Sequence, residues 1–207
     1  MINHKHKCIF IHPNKTGGTS VSACLNMLKI HISVPQLFGQ IDDTQEQVNL
    51  WETTAHKRRM ANNNNYDSIM NIKNKLNVYT VIATTRNPWE RILSDYYFGK
   101  SKGIVPKERT FRESVILNKE NKSIWCSNVL DWTSHNNKIY ASHFIDVKSI
   151  QSDFNKLCDK LGIPHQELPH KNATKHKHYT EYYDEETKSI VAEKYAKDIE
   201  YFGYEFG

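Results

Sequence analysis

The sequence predicts an α/β fold in which helices flank a central parallel sheet. Short apolar runs with a strand pattern alternate along the chain with helical patterns. Two of these strands lead into loops that carry glycine or proline just before the next helix begins. The 207 residues are 38% hydrophobic, which is enough apolar material for one sizeable core. We therefore expect residues 1–207 to form a single domain.

Three strands make up the predicted sheet. Cys8–His12 is the first, Val78–Thr84 is the second and Lys138–Val147 is the third. The second strand reads VYTVIAT, a nearly continuous apolar run that is typical of a strand buried on both faces. Because helical segments separate the strands, their connections predict a parallel arrangement.

The helical patterns have recognisable starts and ends. The predicted helices are Thr19–Leu28, one that begins at Pro88, Ile150–Leu161 and Glu185–Tyr201. Pro88 suits a first helical position, with Asn87 before it as the cap. Gly162 and Pro164 end the helix that precedes them.

The charge of the chain favours an anionic partner. Its formal net charge is +5 and its isoelectric point is near 8.9. Nucleic acid, a phosphorylated cofactor and an acidic glycan would all suit such a surface. Composition therefore indicates the sign of the partner's charge and not its identity.

Three features of the sequence predict a soluble protein of the cytoplasm. No apolar stretch approaches the roughly 20 residues of a membrane-spanning helix. The start, MINHKHK, leads into only four apolar residues, too few for a secretory signal. The cysteines contain no C-x-x-C pair, which is typical of thiols in a reducing compartment. They are Cys8, Cys24, Cys126 and Cys158.

The stretch HPNKTGGTS, residues 12–20, has the composition of an anion-binding loop between the first strand and the first helix. Two adjacent glycines let the backbone approach a ligand closely, and the N–H groups at the start of the helix carry partial positive charge. Side chains add one ammonium group and three hydroxyl groups. The predicted anion-binding residues are Lys15, Thr16, Gly17, Gly18, Thr19 and Ser20.

The order of residues in this loop differs from that of the usual nucleotide loop. The Walker pattern G-x-x-x-x-G-K-[ST] places its lysine after the glycines and follows it with the hydroxyl that binds magnesium. Here Lys15 precedes Gly17 and Gly18. The domain is P-loop-like, but a magnesium-dependent ATP site is disfavoured. Taken alone, the loop fits equally well a plain glycine turn with a solvated lysine.

A second anion-binding group is predicted in TTRNPWERILSDYYF, after the second strand. Arg86 ends the strand and Ser94 lies two turns along the next helix, close enough to share one anion. An arginine fork with a hydroxyl group is a sound way to grip a phosphate. For the neighbouring Arg91 and Trp89 we expect the helix surface and the core, respectively.

Together these stretches resemble the signatures of sulfotransferases that use 3′-phosphoadenosine 5′-phosphosulfate (PAPS), in particular the carbohydrate and bacterial-type branch. The resemblance rests on KTGGTS, on RNPWERILSDYY, and on YYDEET and DIEYFGYEF near the end of the chain. It extends from Cys8 to Phe206 but is weak between Ile30 and Asn77. It implies transfer of a sulfuryl group from PAPS to a hydroxyl or amine of an acceptor, with a carbohydrate favoured, and release of adenosine 3′,5′-bisphosphate (PAP).

The resemblance also implies roles for the residues of both loops. Lys15 through Ser20 would cradle the 5′-phosphosulfate, and Arg86 with Ser94 would hold the 3′-phosphate. Lys15 would stabilise the charge that gathers on the bridging oxygen as it leaves, so that no metal is required. In HKNATKHKHY, Lys175 or Lys177 would add a phosphate contact, although a solvated basic loop is an equally good interpretation.

The acceptor needs a base, and WETTAHKRRM (residues 51–60) is the candidate segment. Related sequences often have His-x-Thr-Ala here. In that register Glu52 stands at the histidine position, and His56 follows one helical turn later, on the same face if the segment is helical. Either residue is a candidate base.

Two other classes of function stay open on the residues alone. A kinase would use the same first loop, but the chain has no Walker acid run. A nucleic-acid-binding module would suit the charge, but no recognition signature is present. We expect no metal centre, because two histidine-rich groups lack the paired spacing of a structural zinc site. These groups are His4, His6, Cys8 and His12, and His170, His176 and His178.

Overall fold

The computed structural model describes residues 2–27, 31–38, 69–121, 126–169 and 176–207. Its strands are β1 (Ile2–Asn3), β2 (Cys8–Ile11), β3 (Thr80–Thr85), β4 (Ser134–His135), β5 (Lys138–Ile139) and β6 (His143–Asp146). The central sheet has the order β1, β2, β3, β6. β2, β3 and β6 are parallel and β1 is an antiparallel edge. The predicted parallel sheet is confirmed, with this one addition.

Helices follow the three parallel strands β2, β3 and β6 within the described ranges. They are α1 (Gly18–Cys24), α2 (Val34–Leu37), α3 (Ile69–Lys75), α4 (Pro88–Ser101), α5 (Phe111–Asn118), α6 (Val129–Thr133), α7 (Ile150–Leu161), α8 (Glu185–Lys194) and α9 (Ala196–Phe202). Short 3₁₀ turns cover Val147–Ser149 and Tyr179–Tyr182. No helix of these ranges is long and apolar enough to cross a membrane.

Both faces of the sheet are buried, as an α/β fold requires. Along β2, Cys8 and Phe10 pack on one face with side chains of α1 and α7. Ile9 and Ile11 point to the other face and pack with side chains of α2, α3 and α6. This alternation follows from the two-residue period of a strand. A third apolar cluster joins α4, α5 and α8 beside the sheet.

Two predicted helix boundaries are confirmed by their caps. The Asn87 side chain accepts a hydrogen bond from the Trp89 N–H at 3.1 Å, and Pro88 occupies the first turn of α4. Gly162 ends α7 in the left-handed conformation, with φ of 64°.

The first helix is shorter than its apolar pattern predicts. We expected Thr19–Leu28, but α1 ends at Cys24. Asn26 adopts a left-handed φ of 48°, which a helix cannot continue through. The Asn3 side chain donates to the Leu25 carbonyl at 2.9 Å and satisfies one of the carbonyls at the helix end.

The predicted strand Lys138–Val147 is wrong in its extent. Only His143–Asp146 joins the central sheet, whereas Lys138–Ile139 pairs with Ser134–His135 in a small hairpin. Asn136 and Asn137 form its turn with φ of 48° and 59°, the left-handed pair that tight hairpins favour.

The predicted terminal helix Glu185–Tyr201 is two helices, α8 and α9. The break is at Tyr195, which has φ of −108° and ψ of 24°. Its side chain is buried, and its hydroxyl donates to the Cys126 carbonyl at 3.0 Å. A tertiary contact therefore sets a boundary that helical periodicity alone does not show.

Candidate active site

The predicted anion-binding loop, residues 12–20 and called the phosphate loop below, lies at the carboxyl end of β2, where parallel sheets commonly bind ligands. Gly17 has φ of 76°, and a Cβ there would lie 2.3 Å from Val147 Cγ2. A Cβ on Gly18 would lie 2.5 Å from the His12 ring and 2.8 Å from Phe10. Both positions therefore need glycine, one for conformation and both for close approach of the backbone to its surroundings.

Lys15 carries the cationic side chain of the loop. Its backbone is left-handed, with φ of 60°, which costs an L side chain roughly 1–2 kcal/mol. Its ammonium nitrogen lies 4.1 Å from the centroid of the Phe98 ring on α4. The structure thus holds the ammonium group beside α4 while the backbone stays in a conformation that the surroundings must impose.

Two of the predicted hydroxyl ligands are used within the protein. Thr16 is fully buried, and its Oγ1 donates to the Pro13 carbonyl at 2.8 Å. Because its one proton is engaged there, the Thr84 hydroxyl at 2.7 Å is the donor to Thr16 Oγ1. Ser20 Oγ donates to the Pro169 carbonyl at 2.6 Å. These two hydroxyls tie the phosphate loop to β3 and to the chain near residue 169.

Arg86 stands where β3 runs into α4. Its Nη1 lies 3.5 Å from the Lys15 carbonyl oxygen, and its Nε donates to Glu90 Oε2 at 3.2 Å. Ser94 is buried on α4, one turn before Phe98, so the two side chains share a helix face. The structure therefore brings Lys15, Arg86 and the face that carries Ser94 into one region.

Arg91 is the residue that sequence reasoning misplaced. We expected it on the helix surface, but only 2% of it is exposed. Its Nε and Nη2 donate to the backbone and side-chain oxygens of Asn14, at 3.1 and 2.7 Å, and its Nη1 donates to Ser127 O at 2.9 Å. Helical periodicity gives no signal for this burial, because Arg91 lies on the side of α4 opposite Trp89 and Leu93. Trp89 lies in the core, as expected, with 4% exposed.

Two carboxyl groups, the half-buried Asp95 and the buried Asp198, lie in the same part of the molecule. Burial raises the pKa of Asp95, against the lowering effect of the nearby Arg91 and Lys15 charges. Burial also raises the pKa of Asp198 to about 6, although the N–H groups of Val129 and Leu130 donate to it. The positive charges of the site are thus accompanied by carboxyl groups that hold their protons more tightly than usual.

The end of the chain closes the carboxyl edge of the sheet. The Tyr204 hydroxyl donates to the Asp146 carboxylate at the end of β6 and lies 2.8 Å from Thr85 Oγ1 at the end of β3. The Asn87 side chain donates to the Glu205 carbonyl at 2.8 Å. The stretch DIEYFGYEF therefore packs beside the start of α4.

Some predicted residues are not part of this region as described. Glu52, His56 and Lys175 lie outside the described residues. Lys177 is described, but its side chain is 74% exposed and its ammonium group lies 3.0 Å from Glu181 Oε2. Among residues whose structure is described, no three histidine, cysteine or acidic side chains group as metal ligands would.

Comparison with known proteins identifies a family for this chain. No curated protein and no solved structure matches the chain. A family model described as the sulfotransferase family matches residues 1–205, nearly the whole sequence. Both predicted anion-binding groups lie inside that match, as does the terminal stretch DIEYFGYEF except for its last residue, Phe206. The chain therefore belongs to the sulfotransferase family.

Proposed function

We propose that the protein transfers a sulfuryl group from PAPS to a hydroxyl or amine of an acceptor. The observation that carries the proposal is the contact between the two predicted anion-binding groups. Arg86 lies against the backbone of Lys15, so one ligand with two anionic groups can engage both. PAPS is such a ligand, because it carries a phosphosulfate at one end of its ribose and a phosphate at the 3′ position.

The phosphate loop fits the phosphosulfate group of this donor. A Cβ on Gly17 or Gly18 would clash with side chains of the protein, so the two glycines let the loop lie close to the sheet and present its backbone N–H groups to the ligand. The hydroxyls of Thr16 and Ser20 donate to carbonyl groups of the protein, so these two residues would contact the phosphosulfate through their backbone N–H groups. Lys15 and Thr19 supply the side-chain donors, and Arg86 with Ser94 would hold the 3′-phosphate.

Lys15 would act on the chemistry itself. As the acceptor oxygen bonds to sulfur, the bond from sulfur to the bridging oxygen breaks, and that oxygen keeps the electron pair. A cation aimed at this oxygen stabilises the transition state more than the ground state, since the charge develops only there. In this proposal no metal ion is needed, and the acceptor's proton passes to a base.

The base and the acceptor complete the proposal. Glu52 or His56 would accept the proton, in a segment that precedes α3 in the chain. We favour a carbohydrate acceptor, as in the branch that the sequence resembles, and the net charge of +5 suits an acidic glycan. We propose a single domain in the cytoplasm, supported by the family match over residues 1–205 and by cysteines scattered without close pairs.

A thermal-shift experiment in a buffer with a chelator tests the donor assignment. In this buffer PAP should raise the melting temperature more than an oligonucleotide does. It should also raise it more than ATP with magnesium does in a parallel buffer without chelator, because a ligand that binds only the native state stabilises that state. The two latter ligands represent the kinase and nucleic-acid alternatives. A larger shift with either of them, or loss of PAP binding on chelation, would contradict the proposal. A panel of acceptors offered with PAPS would then identify the second substrate.

A further inference from the structure

Arg91 is bound to the phosphate loop, although it belongs to α4. Its Nε donates to the Asn14 carbonyl at 3.1 Å and its Nη2 to Asn14 Oδ1 at 2.7 Å. Its Nη1 donates to the Ser127 carbonyl at 2.9 Å. The guanidinium group therefore holds the residue before Lys15 by both backbone and side chain, and anchors it to the start of the α6 region.

These bonds bear directly on the conformation of Lys15. The φ angle of Lys15 is set by the peptide plane on its amino side, which contains the Asn14 carbonyl, and its ψ angle by the plane that contains its own carbonyl. Arg91 holds the first plane, and Arg86 contacts the second at 3.5 Å. Lys15 has φ of 60°, so its surroundings must impose the conformation.

We propose that Arg91 is a positioning residue for sulfuryl transfer: by fixing the Asn14 peptide plane, it aims the Lys15 ammonium group at the leaving oxygen. It does so without contacting the donor, because only 2% of Arg91 is exposed and the bonds described above face Asn14 and Ser127. The inference rests on the proposed function, since aim matters only if Lys15 acts on a leaving group.

The planar, forked guanidinium group explains why position 91 needs an arginine. Two N–H groups of one rigid plane reach two oxygens of Asn14, and a third reaches another segment of the chain. A lysine has one nitrogen on a flexible stem and cannot hold both oxygens in the same orientation. Arg91→Lys should therefore keep the charge and lose the grip on the loop.

Asn14→Ala is the milder test, because it keeps Arg91 and its bond to the Asn14 carbonyl and removes only Oδ1, which braces the same guanidinium plane. We expect the rate constant of donor cleavage, at saturating PAPS, to fall about tenfold, the effect of a misplaced catalytic group. The dissociation constant of PAP should change by less than about threefold, because a misdirected Lys15 ammonium group weakens stabilisation of the transition state and not binding in the ground state. The rate is measured as PAP release, with an acceptor from the panel or with water when none is found.

The matched control is Asn155→Ala on α7. Asn155 Oδ1 accepts a hydrogen bond from Gln151 at 2.9 Å and is half-buried, so this variant also loses a side-chain hydrogen bond, far along the chain from the loop. It should leave the rate constant unchanged and lower thermal stability by less, because Asn14 accepts from a charged group and Asn155 from a neutral amide. A purely structural role for the Asn14 bond would leave the rate constant unchanged in both variants, and that result would overturn the inference.

A double-mutant cycle shows whether the effect passes through Lys15. In a Lys15→Ala background the ammonium group is absent, so Asn14→Ala should cause no further loss of rate. An equal further loss would show that Arg91 and Asn14 act elsewhere. If the wild-type protein neither binds PAP nor cleaves PAPS, the proposed function itself fails, whereas an active wild type with an unaffected Asn14→Ala variant sinks only the positioning role.

Discussion

The Arg86 guanidinium group lies 3.5 Å from the Lys15 carbonyl oxygen, although 71 residues separate the two in sequence. The contact exists because β2 and β3 are parallel neighbours, so the loops at their carboxyl ends meet at one edge of the sheet. It gives each residue a distinct position. Lys15 presents its ammonium group from the loop, while Arg86 stands at the start of α4. Removing the Lys15 charge and removing the Arg86 charge should therefore have different effects on catalysis and binding.

Lys15→Ala should mainly lower kcat. If its ammonium group stabilises the leaving oxygen only as the bond breaks, its loss should cost about 10²–10³-fold in kcat with a much smaller change in the KM for PAPS. Steady-state kinetics with an active acceptor measure both quantities. Lys119→Ala, which removes an exposed lysine on the surface, is the control and should match wild type. A rise in KM at constant kcat would assign Lys15 to binding alone.

Arg86→Ala should weaken binding of the donor and of PAP. The loss of a charged hydrogen-bonding partner should cost about 1.5–3 kcal/mol. The preference for PAP over adenosine 5′-phosphate, measured by titration calorimetry, should fall by the same amount, because only PAP carries the 3′-phosphate. Arg112→Ala removes an arginine whose partners, Asp184 and Glu186, are on the surface, and should leave the preference intact. Equal affinity of wild type for both nucleotides would refute this role.

The local sequence was sufficient for the parts of the site that rest on short-range patterns. A glycine pair after a strand predicts a tight loop, and an arginine at a strand end predicts a side chain at the sheet edge. The hydrogen bonds of the Thr16 and Ser20 hydroxyls to Thr84 and Pro169 could not be predicted in this way, because these partners lie far along the chain. Arg91 was misplaced for the same reason, since no local pattern shows that Asn14 would meet it.

Gly17→Ala should destabilise the protein more than Gly162→Ala. The two glycines have similar left-handed φ angles of 76° and 64°, so backbone strain destabilises both variants. Only at Gly17 would the new Cβ meet another atom, Val147 Cγ2 at 2.3 Å, which adds about 1–3 kcal/mol of overpacking. Urea unfolding measures the difference. Gly17→Ala should also weaken PAP binding, and equal losses of stability at the two sites would contradict the observed packing.

Asp198 should make the protein less stable as the pH rises from about 4 to about 6. Burial raises the pKa of Asp198 to about 6, whereas the unfolded chain loses this proton near pH 4. Over that interval the native state binds more protons than the unfolded state, so the free energy of unfolding falls, by roughly 2–3 kcal/mol in total.

The measurement is urea unfolding across this pH range for wild type and Asp198→Asn. The neutral amide cannot titrate, so the variant should lack the part of the slope that Asp198 contributes, while groups such as Asp153 and Asp184, whose pKa values are lowered, act equally in both. Asn155→Ala, which removes no titratable group, is the control and should leave the slope unchanged. Parallel pH profiles for wild type and Asp198→Asn would show that Asp198 titrates normally.

The base is proposed in residues 51–60, with Glu52 and His56 as its candidates. A base must be deprotonated at the working pH and basic enough to take the proton; an unperturbed histidine nearly meets both conditions. The basic run Lys57–Arg59 would lower the pKa of either group, which weakens a glutamate and keeps a histidine neutral. Chemistry therefore favours His56, while the register of related sequences favours Glu52.

We expect one of the two variants, His56→Ala or Glu52→Gln, to lower kcat by about a hundredfold or more, the usual worth of a positioned base. The affinity for PAP should barely change, because the base touches the acceptor and not the nucleotide. The other residue would then act by orienting its neighbour, as a carboxylate does when it fixes an imidazole tautomer. If both variants keep near wild-type turnover on an active acceptor while Lys15→Ala does not, the base lies outside residues 51–60, and the acceptor site must be sought elsewhere around the phosphate loop.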